Sequence, residues 1–105
     1  MHSMLVLIDT SATLADLQDA FTEFAHALKA REGLVMKTWI TQGDYSVGGF
    51  YIFSDRETAD HYLEAMLTPT VEAHPALSNM RVQHFGVVVE LSELTGSPVT
   101  SSVQG

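Results

Sequence analysis

The chain has 105 residues, 46% of them hydrophobic, and sets 5 basic against 13 acidic side chains for a formal charge of −8. That length builds one domain around one core, and the acidic balance repels phosphate backbones and anionic lipid surfaces, so neither nucleic acid nor a membrane is an expected partner. The lack of cysteine excludes disulfides, thiolate chemistry and zinc–cysteine sites. No apolar run approaches the ~20 residues of a membrane span. The start has no cationic region and carries an early Asp9, unlike a secretory signal, so a soluble cytoplasmic protein is expected.

Residues 4–8, MLVLI, are continuously apolar, as in a strand covered on both faces. In 10–32, Leu14, Leu17, Phe21, Phe24 and Leu28 recur at spacings of three and four and mark one helical face. Thr13 with Asp16 has capping-box spacing, and Lys29, Arg31 and Gly33 supply the stop. Residues 34–41 alternate, which places Leu34, Met36 and Ile40 under the helix and Val35, Lys37, Trp39 and Thr41 on the other face. A polar loop at 42–46 predicts a hairpin to a strand at 47–53, where Gly49, Tyr51 and Phe53 oppose Phe50 and Ile52. Glycine inside a strand marks a bulge or a close approach, so Gly48-Gly49 is expected to make room.

A second helix begins at Ser54 or Asp55, buries Ala59, Tyr62, Leu63 and Met66, and ends near Leu67. Thr68-Pro69 then reads as an N-cap and first position of a short helical turn that Pro75 stops. The last strand is expected over 80–91, about twice the usual 5 or 6 residues. The order is β-α-β-β-α-β, the ferredoxin-like α+β arrangement: a four-stranded antiparallel sheet with two helices on one face. This gives a single domain over 1–94 and a tail over 95–105 that is flexible or ordered by a partner. Two helices cover only one sheet face, so a second copy is expected on the other, giving a homodimer whose sheets close into a barrel around a shared apolar interior.

The segments at 33–39 and 48–55, followed by Ala59 and Tyr62-Leu63, resemble the YdhR-like monooxygenase family of the dimeric α/β-barrel superfamily. That superfamily also contains the antibiotic-biosynthesis monooxygenases. The resemblance spans the chain to about Leu94 and implies several possible activities: oxidation of phenolic or polycyclic aromatics by molecular oxygen without metal or flavin, haem degradation, lactone isomerisation, or none assigned.

Against that background each conspicuous residue has two readings. Trp39 is either packing or an aromatic wall whose indole N–H meets a substrate oxygen. Tyr51 is either a cross-strand partner of Trp39 or a hydrogen-bonding group for a phenol. Lys37 either lays its stem over apolar surface or, desolvated, stabilises an anion. His84, alone in an apolar strand, is either a hydrogen-bonded structural residue or a base near neutral pH. His61 lies between Glu57 and Glu64 on a solvated helix face, with His74 in the turn beyond. No tight metal-ligand spacing, acid pair or nucleophile elbow occurs. The expected function is cofactor-independent monooxygenation of a small electron-rich aromatic, with Trp39, Tyr51 and His84 catalytic and Lys37, Trp39, Gly49 and Tyr51 lining the substrate. The alternative is a non-catalytic dimer that binds a small hydrophobic ligand or haem.

Overall fold

The computed structural model describes residues 1–99. Its elements are β1 (His2–Thr10), α1 (Leu14–Lys29), β2 (Leu34–Thr41), β3 (Ser46–Phe53), α2 (Arg56–Tyr62), a π-helical turn (Leu63–Leu67), α3 (Thr68–Ala73), β4 (Leu77–Gly86) and α4 (Val89–Leu94). The strands form one antiparallel sheet in the order β2-β3-β1-β4, the expected ferredoxin-like topology. Among the described residues no helix is long and apolar enough to cross a membrane.

The core lies between the sheet and the helices. Met4, Val6 and Ile8 from β1, Tyr51 and Phe53 from β3, Leu28 from α1, and Ala59, Tyr62, Leu67 and Val71 from the second helical arm form one buried cluster. Local chemistry sets the ends of the arms. Thr13 and Asp16 cap α1 reciprocally, and the Asp55 carboxylate accepts the Thr58 N–H at 2.7 Å at the start of α2.

Three expectations are corrected. The face assignment for β2 fails at a bulge: Leu34 pairs with Phe53 but Met36 pairs with Ile52, so one extra residue enters β2. Beyond it every side chain changes face, which turns Lys37 and Trp39 toward the helices and Met36 away from them. The second helix does not stop near Leu67 either. It passes through the π-helical turn, where the Thr68 N–H reaches the Leu63 carbonyl, and continues as α3 without a Thr68 cap. Pro69 has no N–H to offer the Ala65 carbonyl and its ring would crowd that group in α-geometry; the wider turn accommodates both.

The last strand is the third correction. β1 sets its length: Leu77 faces Thr10 and Gly86 faces His2, and no β1 residue remains opposite 87–91. Without a ladder partner Val87 and Val88 leave the strand and α4 begins at Val89; Gly96, at φ 85°, helps to end it. Val99 is fully buried, and residues 100–105 of the expected tail lie outside the described residues.

Candidate active site: an aromatic-walled cavity beneath α1

A cavity of about 430 Å³ lies between α1, the π-turn with α3, and the helix-facing side of the sheet. The bulge in β2 and the register of the β2–β3 hairpin build its floor. Lys37 pairs with Tyr51 and Trp39 with Gly49, so four of the expected site residues meet across one ladder. Phe21 and Phe24 descend from α1 onto Trp39, with ring centroids 5.3 and 6.4 Å away. Met66, Leu67, Thr70 and Val71 form the opposite wall. The cavity is lined by residues of one chain, because the β2 bulge places the Lys37–Trp39 face under the helices and not on the helix-free side where it was expected.

The two central glycines make room for different things. A Cβ on Gly48 would run into the Val6 carbonyl of the neighbouring strand, so this glycine allows backbones to approach. A Cβ on Gly49 would stand 2.5 Å from Lys37 Cε and 3.2 Å from Tyr51 Cε1, so this one leaves space for the lysine stem.

Lys37 is the cavity's unusual charge. Its Nζ sits 3.4 Å from the centre of the Trp39 ring, 4.7 Å from that of Tyr51 and 5.3 Å from that of Phe24. Ion pairs among the described residues join Arg56 to Asp60 and Arg81 to Asp9, and none reaches Lys37. Burial without a counter-charge lowers its pKa to about 7, so near neutrality it is shared between ammonium and free amine.

Tyr51 is buried, and its hydroxyl meets that of Tyr62 at 2.7 Å. Burial raises both phenols well above their ordinary range, so both stay protonated at neutral pH. When Tyr62 donates to Tyr51, the Tyr51 proton remains available to a ligand.

His84 does not join this group. It pairs with Met4 on β1, about seven residues along β4 from the cavity-lining Leu77, on the order of 20 Å away. There its Nδ1 is 2.8 Å from His2 Nε2. Burial, then the positive charges of Arg56 and His84, hold His2 below the ordinary imidazole range. Sequence reasoning singled out His84 because it lay in an apolar strand, but it is exposed at the strand's far end.

The cavity instead contains His74, read from the sequence as part of a solvated segment. The Ala76 N–H donates to His74 Nδ1 at 3.2 Å, which leaves Nε2 as the protonated nitrogen of the neutral ring. The short connection through Pro75 to Leu77, itself a lining residue, was the only sequence hint that His74 turns inward. Phe21 and Phe24 belonged to the recognised apolar stripe of α1, but periodicity alone could not say that part of that stripe faces a cavity. Among the described residues no three His, Asp or Glu side chains are grouped to hold a metal ion.

Sheet order, helical cover and this pocket define an α+β ferredoxin-like protein with a ligand-sized cavity between helices and sheet. Residues 6–98 match the family described as "Putative mono-oxygenase ydhR", and the chain belongs to that family. No curated protein matches it significantly. Solved structures that share its fold include two crystal structures. One is the NE2512 protein of unknown function from Nitrosomonas europaea, at 16% identity and TM-score 0.72 over 84% of this chain and 89% of that one. The other is SnoaB, a cofactor-independent oxygenase from Streptomyces nogalater, at 18% identity and TM-score 0.66 over 82% of this chain and 91% of that one.

Proposed function

We propose that this protein is a cofactor-independent monooxygenase of the cytoplasm that oxidises a small electron-rich aromatic, of phenol or anthrone type, in the cavity beneath α1. The observation that carries this reading is a mostly apolar, aromatic-walled chamber holding one amine without a counter-ion, beside an indole and a tyrosine hydroxyl. The family description and the name of SnoaB support oxygen as co-substrate.

The chemistry needs a carbanion or phenolate, shelter from water, and donors for the anion. In this reading the neutral Lys37 amine takes the substrate proton, the role sequence analysis gave to His84, and the resulting ammonium holds the anion. Trp39 supplies a flat wall, with its indole N–H as a possible donor. Tyr51, hydrogen-bonded to Tyr62, offers the other. An anthrone-type anion then passes one electron to O2, and the radical pair collapses to a C–O bond. Cleavage of the O–O bond leaves a carbonyl on the carbon; one oxygen atom stays in the product, and the other leaves as water with the two hydrogens of the original methylene. Gly49 keeps the lysine stem in place.

The working unit in this reading is a homodimer packed through the helix-free face of the sheet, where Leu5, Leu7 and Phe50 are only partly buried. Chelator-treated protein incubated with a panel of hydroxylated aromatics, in air and under argon, tests the function. An oxygen-dependent product is expected in air alone. Binding without any such product across the panel would reduce the protein to a carrier of hydrophobic ligands.

A further inference from the structure

Lys37 has a second chemical capacity that oxygenation does not use. Its amine lines the cavity, and no hydrogen bond or ion pair holds it among the described residues. The other titratable side chains in the lining are Tyr51 on β3, Glu23 on α1 and His74 after α3. Glu23 is exposed and makes no ion pair with it. A lysine in these surroundings is an available nucleophile.

We propose that Lys37 captures carbonyl compounds as a Schiff base, so that the cavity is a covalent binding site for hydrophobic aldehydes and unhindered ketones. The Lys37 nitrogen forms a bond to the carbonyl carbon and gives up one of its protons while the carbonyl oxygen takes one up, giving a carbinolamine. That hydroxyl then leaves as water with a second proton, and the nitrogen lone pair closes the C=N bond. No oxidant or reductant is consumed. His74 Nε2–H and the Tyr51 hydroxyl are the protonated groups in the lining that can serve the departing oxygen.

The surroundings favour the adduct over the free ammonium. A primary ammonium is compact and strongly hydrated, so it loses most when moved among aromatic faces. An iminium keeps the positive charge but spreads it, has fewer N–H groups to satisfy, and sits at the same positions over Trp39 and Tyr51. The same burial holds the Lys37 pKa near 7, and at pH 7 about half of its amine is free; an ordinary lysine is free at roughly one part in 10³.

The sequence makes the test direct, because Lys29 and Lys37 are the only lysines. The full chain is incubated at pH 7 with 2-naphthaldehyde and sodium cyanoborohydride, and the fixed arylmethyl groups are located by peptide mass spectrometry. Lys37 is expected to be labelled at least ~10-fold faster than Lys29, a preference lost in urea-unfolded protein. Labelling at the N-terminal amine is read separately and does not bear on the ratio. Gly49→Ala, whose methyl displaces the Lys37 stem, is expected to remove the preference while Lys29 still reacts. Equal labelling of the two lysines in folded protein, or no label on Lys37, would overturn the proposal. The outcome is independent of oxygen, so a protein without oxygenase activity can still capture aldehydes, and the reverse.

Discussion

Lys37 carries most of what is unusual at the scale of single residues, and its burial has a measurable cost. In the unfolded chain its amine titrates near 10.5, whereas in the folded protein burial brings this to about 7. Between those values the unfolded state binds the extra proton, so stability rises with pH across this window; below pH 7 the full penalty of a buried ammonium is present. Lys37→Met removes that penalty. Chemical denaturation at pH 6 is expected to find the variant more stable than the parent by on the order of 3 kcal/mol. The difference should shrink steadily as pH rises from 7 toward 10. A variant equally stable at pH 6 would mean that the ammonium is well solvated. Tyr51 works in the opposite direction, since its hydroxyl satisfies that of the fully buried Tyr62. Tyr51→Phe leaves that group unpaired and is expected to lower stability by ~1–3 kcal/mol. The double variant with Tyr62→Phe should recover part of the loss in a thermal denaturation series.

Elements explain what the sequence revealed and what it concealed. The α1 cap, the β2–β3 hairpin and the order of strands rest on local signals: Thr13 with Asp16, the polar turn at 42–46, and alternation in β3. These were legible. The face of β2 was not, because a single inserted residue at 34–36 inverts a period-two pattern without leaving a glycine or proline at the bulge itself. The end of β4 was equally hidden. Its valines favour a strand, but strand length depends on a partner, and β1 ends opposite Gly86. The setting of His84 was hidden as well: its apolar neighbours in sequence lie at an exposed strand end, away from the chamber. The π-turn is the third such feature, since Pro69 predicted a new helix start and instead widened an existing helix. Met66 and Leu67, within this turn, are cavity wall. Pro69→Ala restores the missing N–H to Ala65 and permits an ordinary α-turn, so the protein is expected to stay folded while aromatic ligands bind more weakly. Unchanged affinity, with the α-turn seen in a crystal structure of the variant, would separate the turn from the site.

For the whole molecule, the decisive geometry is that helices and sheet of one chain line the chamber between them. In the proposed homodimer the helix-free face of the sheet would do the packing, on the side of the four strands opposite the chamber. Recognition of the family from 33–39 and 48–55 carried the fold correctly, whereas the position of the chamber required the bulge. Trp39 is the only tryptophan of the chain and stands in the chamber wall. Its fluorescence therefore reports on the site without a label, and titration with 1,8-dihydroxyanthrone under argon addresses the central claim most directly. Saturable quenching of Trp39 is expected, at one ligand per 105-residue chain, and it should be lost when Gly49→Ala pushes the Lys37 stem into the chamber. Binding at one ligand per pair of chains, or binding that leaves the Trp39 emission unchanged, would contradict a protomer-enclosed site.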